Sequence, residues 1–299
     1  MRVVISGAAG QLGRLVADQL LGQLSPAEVI LVTRDPGGLA EYAELGADVR
    51  YGDFDEPASL ANAFLGGDRL LLISTMDVGR RVEQHRTVLD AAVSAGVQRV
   101  VYTSTTNPAP GHPVGLAVDE HRETEEMLEE TDVSWTVVRN AAYAELQVSL
   151  GAIAVTYGKL VTNAGDGRVA PISRGDCAAG AVAVLTGDGH DNQVYELTGP
   201  EALTQSDIAR LLTDVTGRPV KVVATGDRRL MWGLGRLGTP KPVAGTVVDL
   251  GIATREGFYD LVDPAFEQLT GRPPHTLRAV LMTHRDELLA SEEAGVHYG

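Results

Sequence analysis

The stretch VVISGAAGQLG, residues 3–13, decides the fold of this chain. Its apolar start, residues 3–5, predicts a buried strand, and apolar residues at helical spacing follow the stretch. Between the two stand Gly7, Gly10 and Gly13, spaced G-x-x-G-x-x-G. A strand, a glycine turn and a helix in this order are typical of a site that holds the pyrophosphate of a dinucleotide.

Each of the three glycines is needed in such a turn for a different steric reason. We expect Gly7 to let the chain turn tightly and Gly10 to let the backbone approach a phosphate. Gly13 lets the helix pack close to the strand. The free N–H groups and the positive end of the helix then face the anion.

Composition and charge exclude several classes of function. Of the 299 residues, 44% are hydrophobic and 22% are charged, as is ordinary for a globular protein. The formal net charge of −15 opposes binding to the phosphates of nucleic acids. We therefore expect no nucleic-acid partner, and the anion site at the start must be built locally.

The sequence also predicts a soluble, cytoplasmic protein. Its single cysteine, Cys177, excludes an intrachain disulfide framework, and its place in DCAAGAVAVL favours packing over chemistry. The glycine turn comes too early for a signal peptide, and no apolar run reaches membrane-spanning length, so we expect no membrane partner. The seven histidines lack paired ligand spacing, and we predict no metal site.

Strands and helices alternate along the first half of the chain. After the first strand, the sequence predicts further strands at 28–32, 48–51, 69–73, 99–102 and 134–138, with helical patterns between them. This alternation is typical of an α/β fold with a parallel, doubly wound sheet, the Rossmann fold.

We expect two regions. Residues 1–150 form the dinucleotide-binding domain, and segments at about 160–200 return to it. Residues 201–299 form a smaller C-terminal region that covers the substrate and is interleaved with the sheet. Within it, Trp232 either roofs the site or packs in the core, and we favour core packing. The polar tail 291–299 is predicted to be loose.

Ligands of doubly wound sheets lie beyond the carboxyl ends of the strands. The residues that follow or end the predicted strands, and that we expect near the cofactor, are Arg34, Asp53, Phe54, Ser74, Thr75, Thr103 and Ser104. Two alternatives stay open: Asp53 caps a helix that begins near Pro57, and Ser104 caps the next turn.

Arg34 and Asp35 follow the second strand, where this fold meets the adenosine ribose. An acidic side chain there favours the free 2′-hydroxyl of NAD, and an arginine favours the 2′-phosphate of NADP. Arg34 is nearer the strand end, so we predict NADP(H) as the cofactor in preference to NAD(H).

Several further stretches, in their order, carry a resemblance to a known family. They are VTRDP, LLLIST, QHRTVLDAAVSAGVQRVVYTS, GLAVDEHRETEEML, VVRNAAYAE, AGDGRVA and VYELTG. Together with SGAAGQLG at the start, the chain resembles the NmrA-like atypical short-chain dehydrogenases, and among them the type 2 NAD(P)H:quinone oxidoreductases. The match is strongest over residues 1–200 and loose over 226–290.

The resemblance implies a Rossmann domain that binds NADPH without flavin and delivers hydride to a small quinone or similar conjugated acceptor. It implies that Arg34 meets the 2′-phosphate, that Ser74 and Thr75 line the route to the nicotinamide ribose, and that Asn140 and Tyr143 border nicotinamide and substrate. The residues that it implies around the pyrophosphate are Gly7, Ala9, Gly10, Gln11, Leu12 and Gly13.

One departure from the larger superfamily concerns the proton donor. No Tyr-x-x-x-Lys pair occurs in the chain, and His121 stands about where many relatives have the lysine. His121 either acts at the site, by a hydrogen bond to the nicotinamide ribose or by assisting proton supply, or it is an exposed side chain on a charged helix. A quinone needs only hydrogen-bond donors for its developing oxyanion, and the candidates are Tyr143, Asn140 and His121.

The sequence leaves two other functions open. One is reduction of a bulky polycyclic ketone, an imine or a dye by the same fold. The other is a regulator that senses NADP(H) without catalysis. The oligomeric state is expected to be a monomer or a homodimer.

Overall fold

The computed structural model of the chain describes residues 1–290. Its strands, in chain order, are β1 (Val3–Ser6), β2 (Val29–Thr33), β3 (Asp48–Tyr51), β4 (Arg69–Ile73), β5 (Arg99–Thr105), β6 (Ser134–Asn140), β7 (Lys159–Thr162), β8 (Arg168–Val169), β9 (Gln193–Leu197), β10 (Leu203–Thr204) and β11 (Lys221–Ala224).

Helices connect these strands and form most of the C-terminal part. They are α1 (Gln11–Leu21), α2 (Ala40–Glu44), α3 (Pro57–Phe64), α4 (Arg81–Ser94), α5 (Leu116–Glu129), α6 (Ala144–Tyr157), α7 (Arg174–Thr186), α8 (Gln205–Thr216), α9 (Asp227–Arg236), α10 (Lys241–Arg255), α11 (Ala265–Thr270), α12 (Leu277–Thr283) and α13 (Arg285–Ala290). Short 3-10 turns lie at Pro26–Glu28 and Pro36–Leu39.

The central sheet has seven strands in the order β3-β2-β1-β4-β5-β6-β9. Every neighbouring pair in it is parallel. The chain winds outward from β1 in one direction and from β4 in the other, so the order reverses between these two strands. A crevice at such a reversal is the usual ligand position in doubly wound sheets. The predicted fold class is confirmed.

Helices cover both faces of the sheet, because successive side chains of a strand point to opposite faces. Val3 and Ile5 of β1 pack with α1 and α7, including the buried Cys177. Val4 packs on the other face with α3, α4 and α5. The prediction that Cys177 is a packing residue is therefore confirmed.

A third core lies between α6 and the C-terminal helices α8, α12 and α13. Two small sheets accompany this core, a parallel pair of β7 with β11 and an antiparallel pair of β8 with β10. Within 160–200, α7 and β9 return to the main sheet, whereas β7 and β8 join the C-terminal part. The domain boundaries near 150 and 201 stay predictions.

Two glycines let α10 approach this region closely. A Cβ on Gly167 would lie 2.2 Å from the carbonyl oxygen of Thr254, and one on Gly251 would lie 1.8 Å from Oδ1 of Asn163. The side chain of Asn163 then donates to Asp227 and to the carbonyl of Val248, which ties α9 and α10 together.

The sequence pattern did not predict α6. One face of this helix packs against α8, α12, α13 and β7. Apolar residues such as Leu150 and Ile153 also occupy its partly exposed faces, so the one-sided helical period is missing. The tail 291–299, predicted to be loose, lies outside the described residues. No helix within residues 1–290 combines the length and apolar character that a membrane span requires.

Candidate active site

A cavity of about 980 Å³ opens at the carboxyl ends of β1, β2, β4, β5 and β6. It begins at the glycine turn and ends among residues of α6 and the C-terminal part. The predicted site residues that line it are Gly7, Ala9, Gly10, Gln11, Leu12, Gly13, Arg34, Asp53, Phe54, Ser74, Thr75, Ser104, His121, Asn140 and Tyr143.

The glycine turn is shaped to receive an anion. Gly7 has a φ of +69°, which a glycine adopts without strain. Gly10 caps α1 without any side-chain hydrogen bond, and the first turn of the helix holds no acidic residue. A Cβ on Gly13 would lie 2.4 Å from the carbonyl oxygen of Gly7, so only glycine permits this packing. The N–H groups of the first helical turn are therefore open to a phosphate.

The adenosine end of the cavity carries one positive side chain. Arg34 directly follows β2, is exposed and lines the cavity. Asp35 is not among the lining residues, and its N–H donates to the Thr33 hydroxyl at 3.1 Å. The arrangement fits a dinucleotide with an additional phosphate better than one with a free 2′-hydroxyl.

Asp53 and Phe54 both line the cavity after β3. The Asp53 carboxylate accepts the N–H of Asp55 at 3.0 Å, and the Asp53 N–H donates to the Ser59 hydroxyl at 2.9 Å. The cap position of α3 belongs to Glu56, so the alternative in which Asp53 caps that helix is wrong. Asp53 instead stabilises the turn that holds Phe54 at the cavity.

Thr103 does not line the cavity, although we predicted it near the cofactor. It lies behind the surface, and its hydroxyl accepts the N–H of Ser74 at 3.0 Å. The next residue, Thr75, donates its N–H to Nε2 of the buried His85 at 3.2 Å. Thr103 and His85 thus hold the end of β4 in place. The hydroxyl oxygen of Thr75 is buried without a partner within residues 1–290.

Ser104 contributes only lone pairs to the cavity. Its hydroxyl donates to Oε1 of Glu125 at 2.5 Å, and Glu125 is paired with Arg139 at 2.5 Å. Arg139 also meets Glu196 at 3.2 Å, so the cation lies between two carboxylates beneath the strand ends. Because its proton is committed, Ser104 acts as an acceptor toward a ligand. It does not cap the next turn.

Asn140 and Tyr143 form a polar corner at the end of β6. Nδ2 of Asn140 lies 3.4 Å from the Tyr143 hydroxyl, and Oδ1 of Asn140 is buried without a partner in the described part of the chain. The guanidinium of Arg174 stacks over the Tyr143 ring at 4.6 Å. Burial raises the pKa of Tyr143, so its phenol keeps the proton at neutral pH. An unpartnered buried amide oxygen is costly until a ligand donor reaches it.

His121 lies on α5 and lines the cavity, so the alternative of an exposed side chain is wrong. Its Nδ1 is 2.7 Å from the hydroxyl of the fully buried Tyr102. Burial, with a smaller contribution from Arg81, lowers the pKa of His121 to about 3. The imidazole is therefore neutral at physiological pH.

Sequence reasoning missed several cavity residues. Arg81 is only 4% exposed and bonds the carbonyls of Thr75 and Ala117 at 2.8 and 2.6 Å, which joins the β4 loop to α5. Other lining residues that the sequence did not indicate include Val114, Ala142, Leu146, Leu250 and Tyr259. No sequence motif indicates them. Leu250 lies on α10 and Tyr259 follows that helix, so both reach the cavity only through the packing of the C-terminal part.

Trp232 does not pack in the core as predicted. Its side chain is 63% exposed on α9, and the guanidinium of Arg236 lies 5.1 Å from its ring centre. It is also absent from the cavity lining.

Comparison with known proteins agrees with a dinucleotide site in this cavity. The model of the NAD(P)H-binding family matches residues 7–188. Quinone oxidoreductase 2 of Escherichia coli (strain K12) is 36% identical over 276 residues, which cover 92% of this chain and 96% of that protein. The NmrA-like family domain-containing oxidoreductase flvB of Aspergillus flavus is 27% identical, with 96% and 97% covered.

Solved structures give the same result. The E. coli NADPH-dependent quinone oxidoreductase complexed with NADPH has a TM-score of 0.89 and 32% identity, and the match covers 97% of this chain and 100% of that chain. The triphenylmethane reductase of Citrobacter sp. has a TM-score of 0.90 and 29% identity, with 96% and 100% covered. The family resemblance predicted from the sequence is confirmed, and the chain belongs to the NAD(P)H-binding family.

Proposed function

We propose that the protein is an NADPH-dependent oxidoreductase that transfers hydride to a quinone or similar conjugated acceptor without flavin. The observation that carries this proposal is one continuous cavity. It joins an open helix N-terminus at the glycine turn to the polar corner of Asn140 and Tyr143. The similarity to quinone oxidoreductase 2 supports the same function.

The cofactor residues follow from the chemistry of the lining. We assign the pyrophosphate to the N–H groups of Gln11, Leu12 and Gly13, and the 2′-phosphate to Arg34. Ser104 and Asn140 offer acceptor oxygens deeper in the cavity, where ribose hydroxyls or a carboxamide supply donors. The bound nicotinamide supplies the hydride.

The acceptor side needs hydrogen-bond donors more than a strong acid. The Tyr143 phenol and the His121 imidazole are both neutral at working pH, because burial opposes their charged forms. Neutral donors stabilise the negative charge that develops on a quinone oxygen when it receives hydride. This chemistry accounts for the missing Tyr-x-x-x-Lys pair.

The first test is NADPH titration of the purified protein, followed by the loss of NADPH absorbance in the presence of menadione. We expect NADPH binding and menadione-dependent oxidation without added flavin. Tyr143→Phe should lower turnover about tenfold or more while the Kd of NADPH changes little, because one donor to the oxyanion is lost.

NADPH binding without any acceptor-dependent oxidation would contradict the proposal and favour a cofactor sensor. Turnover restricted to a triphenylmethane dye would instead favour the dye reductase, to which the structure is similar. A cytoplasmic location and a monomeric or homodimeric state stay predictions from the sequence.

A further inference from the structure

Tyr259 belongs to the C-terminal part of the chain, yet it lines the same cavity as Asn140 and Tyr143. The residue is only 7% exposed. Its hydroxyl makes no hydrogen bond within residues 1–290, and burial alone accounts for the rise in its pKa. The phenol therefore keeps its proton at neutral pH, and no group in the described part of the chain accepts it.

The ring of Tyr259 is held from behind while its hydroxyl stays uncommitted. The Tyr259 carbonyl accepts the N–H of Ala170 at 3.0 Å. The ring meets His112 edge-on with centroids 5.5 Å apart, and Nδ1 of His112 accepts the N–H of Val114 at 3.1 Å. A fixed ring presents its hydroxyl at a constant position, which costs a ligand little ordering entropy.

Several apolar side chains line the cavity to which Tyr259 belongs, and Val114, Ala142 and Leu250 pack against the same core as Tyr259. Val114, Ala142, Leu146 and Leu250 line the same cavity. Ligand sites with apolar walls and a few isolated polar groups hold flat ring systems and fix their orientation through those groups. Since no side chain within residues 1–290 accepts the Tyr259 proton, the hydroxyl can donate to a ligand without breaking a bond inside the protein.

We propose that Tyr259 donates a hydrogen bond to the second oxygen of the acceptor and makes the site specific for rings with two carbonyl groups. The inference rests on the proposed quinone reduction. Tyr143 and His121 supply the donors for one oxygen, and Tyr259 supplies the donor for the other. A ring with a single carbonyl lacks this second contact.

The test compares two ring compounds and three proteins. Menadione carries two carbonyl groups, and α-tetralone carries one on a similar pair of rings. Their Kd values are measured by fluorescence quenching on NADP⁺-loaded wild type, Tyr259→Phe and the control Tyr157→Phe, which removes the hydroxyl of an exposed tyrosine. The oxidised cofactor prevents turnover during the titration. Phenylalanine keeps the ring that packs on His112, and a thermal melt checks that the fold is unchanged.

We expect Tyr259→Phe to raise the Kd of menadione about three- to tenfold, as for the loss of one neutral hydrogen bond. The Kd of α-tetralone should change less than about twofold, and that of NADP⁺ should not change. In turnover, kcat/KM for menadione should fall by about tenfold or more. Tyr157→Phe should match wild type in every measurement.

Two results separate this inference from the proposed function. Menadione-dependent turnover in wild type with an unchanged Kd and kcat/KM in Tyr259→Phe would overturn the inference alone. An equal loss of affinity for both ring compounds would also overturn it, because the hydroxyl would then not recognise the second oxygen. Wild type that binds NADP⁺ but neither binds nor reduces menadione would contradict both.

Discussion

The hydroxyl of Tyr102 lies 2.7 Å from Nδ1 of His121. Tyr102 is fully buried on β5, and burial raises its pKa, so it is a neutral phenol with a proton to donate. The adjacent Thr124 hydroxyl gives its own proton to the carbonyl of Glu120 at 2.8 Å. We infer that Tyr102 donates to Nδ1 and leaves the proton of His121 on Nε2. The imidazole is then a hydrogen-bond donor on its other nitrogen.

Tyr102→Phe should remove the hydrogen bond that favours the Nε2–H tautomer of His121. We expect the ¹⁵N NMR shifts of His121 to move from the Nε2–H form toward a mixture of both forms. Turnover should fall because the donor is populated less, and the free energy of unfolding should fall by about 1 kcal/mol for the lost hydrogen bond. Unmoved His121 resonances together with normal turnover would contradict the assigned role of Tyr102.

The free energy of unfolding should fall at acidic pH, because two histidines are buried in their neutral form. Burial lowers the pKa of both His85 and His121 to about 3, whereas an unfolded histidine titrates near about 6.5. The unfolded state therefore takes up protons first, and stability falls as pH drops from about 6.5 toward 3. Each group contributes a loss of about 2 kcal/mol by about pH 5.

Urea unfolding at about pH 7 and pH 5 measures this loss. His121→Gln should remove about half of the contribution of the two histidines, since glutamine does not titrate. An unchanged pH dependence in that variant would show that the pKa of His121 is the same in the folded and unfolded protein, which contradicts a buried neutral imidazole.

Arg34→Ala should weaken the binding of NADPH much more than the binding of NADH. Arg34 is the lining residue placed for the 2′-phosphate, and a charge-assisted contact contributes about 1.5–3 kcal/mol. We expect the Kd of NADPH to rise about 10- to 100-fold and that of NADH to rise much less. Asp35→Asn is the matched control, because Asp35 does not line the cavity. Equal losses for both dinucleotides would contradict the preference for NADPH.

Gly10→Val and Gly13→Ala should both weaken dinucleotide binding, but for different physical reasons. A Cβ on Gly10 meets the carbonyl of Gly7 only at 3.3 Å, whereas one on Gly13 would lie 2.4 Å from that atom and close to the Ala8 backbone. Gly10→Val should therefore fold and lose dinucleotide binding by about tenfold or more, because its side chain fills the phosphate position. Gly13→Ala should lower the thermal midpoint as well. Normal NADPH affinity in Gly10→Val would contradict the assignment of the pyrophosphate to this turn.

The local signals of the first half were strong enough to predict the main sheet. Short strand patterns bounded by turns predicted β3 at Asp48–Tyr51 and β4 at Arg69–Ile73 with the bounds that the structure shows, and β4 is the more apolar of the two. The α6 segment, Ala144–Tyr157, escaped prediction because it is apolar on all sides, and Trp232 was misplaced because burial depends on tertiary neighbours.

The sequence by itself determined the strand–glycine–helix start, the parallel and doubly wound character of the sheet, and the family. These depend on periodicity and on glycines whose backbone needs are local. Only the tertiary structure decided that Thr103 lies behind Ser74, that Tyr102 meets His121, and that Tyr259 joins the cavity from more than a hundred residues beyond Tyr143. Such contacts depend on how distant helices pack, and a single sequence carries no periodic signal for them.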